Sequence, residues 1–231
     1  RESGRRMNSA EHAQLILEDG TVFQGEKFGA DSDAFGEVVF NTSMTGYQEM
    51  LTDPSYGGQI LVLTYPIVGN YGINGFDWES KKIQVRGVVV RQNCLNPSHP
   101  DMRNTVDGYL KAHGVPGISG VDTRAVTRRL RTRGVMMGGI TRSADLCNSK
   151  KMIELQPRYG DEDVVTQVTT SEIYEWTGTG DGNTGVIPRQ DVTHKGVSRR
   201  LRIVVHDLGV KFNILKSLRI RGCDVIVVPS H

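Results

Sequence analysis

Residues 36–72 read GEVVFNTSMTGYQEMLTDPSYGGQILVLTYPIVGNYG, and two apolar stretches inside them set the fold class. EVVF at 37–40 and QILVLTY at 59–65 are dense in Val, Ile and Leu, side chains that suit a pleated and largely covered surface, so each reads as a strand. Between them Thr45 is followed three residues later by Gln48, the spacing of a capping box that opens a short helix. Pro54 disfavours helical geometry at Asp53 and ends that helix. Ser55 then falls on a turn that leads into the next strand.

Outward from this stretch the pattern stays mainly sheet. AQLILEDGTVFQGEKF at 13–28 has an apolar run, an Asp19-Gly20 turn and renewed alternation, which predicts a β-hairpin. KIQVRGVVVR at 82–91 predicts another strand. VDTRAVTRRLRTRG at 121–134 predicts an amphipathic helix, with Asp122 as N-cap, Val126 and Leu130 four apart, basic residues toward the end and Gly134 as stop. Its arginines read as a solvated face or a partner surface, ahead of a phosphate-binding patch, because the chain as a whole is close to neutral.

Residues 178–200, GTGDGNTGVIPRQDVTHKGVSRR, lose periodicity and read as a linker or a long surface loop. The GTGDG run has no strand before it and no helical pattern after it, so it lacks the setting of a phosphate loop. Beyond it come an apolar strand at 201–205, a helical stretch at 210–221 with Ile214, Leu215 and Leu218 on one side, a stop at Gly222 and a strand at 224–228. Two strands and one helix leave apolar faces uncovered, so the chain reads as ending inside a domain.

Composition is compatible with this reading and excludes several classes. The 231 residues are 37% hydrophobic and 23% charged with 27 glycines, values of a turn-rich globular chain. A net charge of +2 demands neither a nucleic acid nor an anionic membrane as partner. No stretch approaches the roughly 20 apolar residues of a spanning helix, and no apolar signal core opens the chain. Residues 1–12, RESGRRMNSAEH, form a polar tail, either an expression remnant or the end of an organelle-targeting segment, with two glutamates against the second. Cytoplasmic location is the expectation, organellar the alternative.

Chemistry is harder to find. Acyl transfer needs an activated Ser or Cys on a sharp strand-to-helix turn flanked by glycines. None of Cys94, Cys147 and Cys223 has that setting; Cys223 reads as a small buried thiol, the others as free surface or half-buried thiols. The histidines His12, His99, His113, His194, His206 and His231 lack metal-ligand spacing, so no metal is expected. His206 and Asp207 lie at the carboxyl end of a strand, where ligands gather in α/β sheets, but the preferred reading is that they cap the following helix.

The 36–72 stretch closely resembles the N-terminal domain of the carbamoyl-phosphate synthetase small subunit. The resemblance runs from LILEDGTVFQG at Leu15, through GVDTRAVTRRLRTRG at Gly120, to HDLGVKFNILKSLRIRGCDVIVVP at His206. It implies an α+β N-terminal domain over 13–177, β-rich and of the swivelling β/β/α type, then a linker over 178–200. Residues 201–231 would be the incomplete start of an α/β, flavodoxin-like class I glutamine amidotransferase domain.

The implied activity is a glutamine-dependent ligase. A small subunit releases ammonia from L-glutamine, and a large subunit that carries ATP and Mg makes carbamoyl phosphate from bicarbonate and two ATP, for arginine and pyrimidine synthesis. The family's catalytic cysteine, histidine and glutamate lie downstream of these residues, so no catalytic residue transfers and this length of chain is expected to be inactive by itself. Ser55 does transfer, as the serine of LTDPSY that helps hold glutamine. No cofactor is expected on this chain, no nucleic acid and no membrane. The partner is the large subunit of a heterodimer, with the helix at 124–133 as a candidate contact surface. The alternative is a noncatalytic binding or scaffold module, and a basic nucleic-acid binder ranks third. HDLGVK departs from the family at Leu208, where Phe is common.

Overall fold

The computed structural model describes residues 12–143, 145–158, 160–178, 193–194, 197–198 and 201–231. Almost all of the 1–12 tail and most of the 178–200 linker lie outside them. The described residues form two compact units. The first comprises the described part of Arg1–Tyr47 with Gly58–Asn74 and Val85–Glu162; the second comprises Gln48–Gly57, Gly75–Gln84 and the described part of Asp163–His231.

Seven strands build the first unit: β1 (His12–Leu17), β2 (Val22–Gly29), β3 (Ala34–Asn41), β4 (Gln59–Val68), β5 (Gly87–Asn93), β6 (Pro116–Ser119) and β7 (Met136–Thr141). They close into a barrel in the order β1-β2-β6-β5-β4-β3-β7, with β7 paired back onto β1. β3, β4, β5 and β6 run parallel to their neighbours in that series and the remaining pairs are antiparallel. Closure leaves the ladder without a free edge.

β1 and β2 form the predicted hairpin, with Gly20 at φ 85° and Asp19 accepting from the Thr21 amide at 2.9 Å. The side chains of β1 divide by the strand's period of two. Leu15 and Leu17 join a core with Val38, Ile60, Val62, Val89, Ile118 and Ile140, while Ile16 packs with Met137 and Ile153. Both faces are covered, so three apolar residues in a row are buried rather than alternating.

The helices are α1 (Tyr47–Thr52), α2 (Val106–Ala112), α3 (Thr123–Arg133), α4 (Leu146–Glu154), α5 (Val164–Val168) and α6 (Phe212–Ile220). α3 follows its sequence signature: Asp122 accepts from the Ala125 amide at 3.0 Å, and Gly134 ends the helix at φ 90°. Its Val126 and Leu130 enter the barrel core.

One expectation is revised. The strand expected over 82–91 starts only at Gly87, because the Gln84 amide is taken by the Leu51 carbonyl instead of a ladder partner. The helix before Pro54 is followed at once by a 3-10 turn, Pro54–Tyr56, with Ser55 at its centre, the turn expected after the helix stop.

In the second unit, β11 (Leu201–His206) and β12 (Cys223–Val228) run parallel on either side of α6 in the sequence, as the pattern predicts. A third strand, β8 (Tyr174–Glu175), lies antiparallel on the other edge of β12. A separate two-stranded ladder joins β9 (Thr193–His194) and β10 (Val197–Ser198). Trp176, Phe212, Leu215, Cys223, Val225 and Val227 form this unit's core. Cys223 is therefore the buried thiol the sequence suggested; Cys94 is half-buried, Cys147 exposed, and all three are free. The chain as described is a mixed α/β protein with one large β-sheet. No helix among the described residues is long and apolar enough to cross a membrane.

Candidate functional site

Ser55 is exposed on the Pro54–Tyr56 turn. Its backbone amide donates to Asp53 Oδ1 at 2.9 Å, and its hydroxyl has no partner among the described residues. Asp53, 7% exposed, uses its second oxygen to accept from Lys211 Nζ at 2.5 Å. One buried carboxylate thus ties the serine turn to the residue that precedes α6. That bond, ahead of the burial that opposes it, raises the Lys211 pKa, so the side chain stays an ammonium through the neutral range. The arrangement offers a free hydroxyl, able both to donate and to accept, on a turn held by the same carboxylate that pairs with the Lys211 ammonium.

The loop from β11 to α6 is held from within. Asp207, 6% exposed, accepts from the Gly209 amide at 3.0 Å and the Val210 amide at 2.9 Å through one oxygen, and from the Thr170 amide at 2.7 Å through the other. Asp207 therefore caps the loop and not the helix, which corrects the expectation for His206 and Asp207; His206 is exposed at the end of β11. Gly209 has φ +97°, and a Cβ there would lie 3.1 Å from the Pro54 Cβ. Glycine is required both for the left-handed backbone and for this close approach to the serine turn.

The first turn of α6 is capped from far away in sequence. Lys211 at the N-cap makes no side-chain cap bond. Instead the Glu79 carbonyl accepts from the Phe212 amide at 2.9 Å, Glu79 Oε2 accepts from the Asn213 amide at 3.1 Å, and Glu79 Oε1 accepts from Asn213 Nδ2. A carboxylate at a helix N-terminus meets both the orphan amides and the positive end of the dipole. Glu79 is positioned in turn by its own amide, which donates to Thr52 Oγ1 at 2.9 Å.

Close by, a cleft of about 230 Å³ is lined by Pro54, Lys81, Lys82, Tyr174, Asp207 and Phe212 among others; Ser55 does not line it. Lys81 Nζ sits 4.7 Å from the Tyr174 ring centroid. Burial, with the Asp207 charge adding to it, pushes the Tyr174 phenol up to about 12. No group of three or more His, Cys, Asp or Glu among the described residues is placed to hold a metal.

Glu49 carries a cost. Its Oε2 is buried without a partner, and burial first, then Asp77 and Glu79, raises its pKa. The folded state therefore keeps a proton on Glu49 at pH values where the unfolded chain has lost it, and stability falls as pH rises through that interval. Glu49→Gln is expected to raise Tm at pH 7 by ~2 °C, the shift that less than 1 kcal/mol produces in a chain of this size. The gain should vanish below about pH 4, where both states are protonated. A gain independent of pH in thermal melts would contradict the charge argument.

The family described as Carbamoyl-phosphate synthase small chain, CPSase domain, matches residues 15–140, more than half of the chain and inclusive of Ser55. The chain belongs to this family. The carbamoyl phosphate synthase small chain of Fusobacterium nucleatum is 47% identical over 218 residues, covering 94% of this chain and 55% of that one. The small chain of Nostoc sp. is 47% identical over 226 residues, covering 97% and 57%. The pyrimidine-specific small chain of Halalkalibacterium halodurans is 44% identical over 218 residues, covering 94% and 54%. The chain spans about half the length of these relatives. A solved aminopeptidase from Aneurinibacillus sp. strain AM-1 aligns over 56% of this chain and 30% of that one at 20% identity with a TM-score of 0.35, too low to bear on fold or function.

The sequence motif singles out Ser55 but not the three side chains around its turn, Asp53, Glu79 and Lys211. Lys211 had a usable signal, since it follows a strand's carboxyl end, the place where α/β sheets collect ligands. Asp53 had a weaker one in its position two residues before Ser55. Glu79 had none, because the helix it caps begins more than a hundred residues later.

Proposed function

We propose that this chain serves in glutamine-dependent carbamoyl-phosphate synthesis, with Ser55 holding L-glutamine for ammonia release and a large subunit as partner. The observation that carries the reading is the Ser55 hydroxyl, exposed and without a partner among the described residues, on a turn whose Asp53 carboxylate also holds Lys211. A hydroxyl so held can bond the polar groups of an amino-acid substrate. In the same reading β11, α6 and β12 are the opening of a class I glutamine amidotransferase domain, supported by their parallel strand-helix-strand order. ATP and Mg belong to the large subunit, carbamoyl phosphate is made there from bicarbonate, and the assembly works in the cytoplasm.

The test uses the protein encoded by the whole reading frame, assembled with its large subunit. Ser55→Ala is expected to raise KM for glutamine about tenfold, the loss of roughly 1.4 kcal/mol of binding, and to leave synthesis from free ammonia unchanged. An unaltered KM for glutamine would remove Ser55 from the site. Absence of glutamine-dependent synthesis in the unsubstituted assembly would favour a noncatalytic scaffold.

A further inference from the structure

Helices α2, α3, α4 and α5 each take a cap from the residue just before them. Thr105, Asp122, Asp145 and Asp163 accept from the Gly108, Ala125, Asn148 and Thr166 amides at 3.0–3.1 Å. Helix α6 departs from this pattern. The residue before it is Lys211, which has no side-chain acceptor to offer and whose ammonium is engaged by Asp53. The first amides of α6 are met instead by Glu79, 134 residues before Asn213, through its carbonyl to Phe212 and its carboxylate to Asn213.

This distant cap is the harder one to build. Glu79 is buried, and a buried carboxylate is tolerated only where donors surround it. Its charge also bears on a neighbour, since it is one of the causes that raise the Glu49 pKa. A Ser, Thr, Asp or Asn at position 211 would cap the helix locally with neither penalty. A local rule broken in this way points to a role beyond helix stability.

The other bonds of Glu79 show where that role lies. Its amide donates to Oγ1 of the buried Thr52 at 2.9 Å, and that hydroxyl donates in turn to the Gln48 carbonyl at 3.0 Å. Thr52 directly precedes Asp53, which holds the Ser55 amide with one oxygen and Lys211 with the other. Residues 52–55 and 211–213 are therefore joined twice: Asp53 meets Lys211, and Thr52 is linked through Glu79 to Phe212 and Asn213. One tie would let the serine turn pivot about it, whereas two set its orientation.

We propose that Glu79 is a positioning residue for Ser55, fixing the serine turn against the start of α6 so that the hydroxyl is aimed before glutamine arrives. The inference rests on the reading of Ser55 given above. Preorganisation of this kind removes an ordering penalty from binding, so its loss is felt in the affinity for glutamine.

The test reads KM for glutamine in the whole reading frame assembled with its large subunit, for Ser55→Ala, Glu79→Gln and the double variant. Glutamine at position 79 keeps the size of the side chain but leaves one acceptor oxygen in place of two and turns a donor toward Asn213. Glu79→Gln is expected to raise KM about fivefold, within the range for members of one hydrogen-bond network. The double variant should go no higher than Ser55→Ala, because a misaligned turn changes nothing once the hydroxyl is gone. Asn213→Ala removes only the Nδ2 bond and serves as the milder variant, with a smaller rise in the same direction. Hydrogen exchange followed by mass spectrometry should show residues 52–56 exchanging faster in Glu79→Gln, together with the first turn of α6.

Effects that multiply in the double variant overturn the proposal, because Glu79 then acts independently of Ser55. Wild-type exchange over residues 52–56 overturns it as well, leaving Glu79 a cap of α6 alone. So does an unchanged KM in both Glu79→Gln and Asn213→Ala while Ser55→Ala raises it, a result that spares the Ser55 reading. An unchanged KM in Ser55→Ala overturns that reading and this inference with it.

Discussion

Asp207→Ala is expected to lower the stability of the second unit by about 3–5 kcal/mol, because three backbone amides lose a charged acceptor at a site almost closed to water. The Gly209 and Val210 amides share one oxygen and the Thr170 amide takes the other, at 2.7–3.0 Å. Asp207→Asn keeps one acceptor oxygen and points an amide donor at another donor, so about half of that loss should remain. The chain has two tryptophans, Trp78 and Trp176, and both belong to the second unit, so tryptophan fluorescence during urea unfolding reads that unit directly. A midpoint unchanged in Asp207→Ala would mean that water replaces the carboxylate without cost.

The same substitution has a spectroscopic counterpart. The Tyr174 phenol, at about 12, is raised first by burial and then by the Asp207 charge. Between pH 10, where a free tyrosine ionises, and that value the folded state holds a proton that the unfolded chain has released, so Tyr174 contributes stability that is lost as pH rises. Asp207→Asn should bring the ultraviolet titration of Tyr174 down toward, though not to, the ordinary range. If the titration stays in place, the charge is not felt by the phenol.

Ile60→Ala should be the second large effect, about 3–4 kcal/mol, through the cavity left in the barrel core. Ile60 is fully buried, opposite Val38 on β3 and Gly87 on β5, and belongs to the cluster that also holds Leu15, Val62 and Ile118. Seven hydrogen-bonded strands without a free edge leave little room for collapse around the missing atoms. Ile67→Ala on the same strand, where the side chain is 41% exposed, should change stability by less than about 0.5 kcal/mol. Far-ultraviolet circular dichroism of the two variants decides it. Equal midpoints would deny that the barrel interior is the stabilising core of this unit.

Much of the local structure was legible before any coordinates. The β1–β2 hairpin, α3 between Asp122 and Gly134, and the strand-helix-strand order of β11, α6 and β12 each follow from turn chemistry, capping residues and hydrophobic period, all short-range signals. Ser55 as a candidate site residue rests on the likeness of its motif to a family and not on a physical pattern. The boundary errors have local causes too: Val85 is buried and apolar like a strand residue, yet the neighbouring Gln84 amide is spent on Leu51.

What the sequence by itself determined is therefore a β-rich front part, an α/β element at the end and the family to which they point. Three matters were decided only in three dimensions. The strands close into a barrel because β7 meets β1, a pairing over more than a hundred residues that no period can encode. Gln48–Gly57 and Gly75–Gln84 belong to the second unit although they are flanked by barrel strands. Within that unit Asp53 and Glu79 reach Lys211 and Asn213 to fix the turn of Ser55 and the start of α6. The physical reason is common to all three. A side chain announces its own backbone preference and its own polarity, but a buried carboxylate or an open strand edge is satisfied by whichever partner folding brings to it, and that partner is set by the packing of the whole chain.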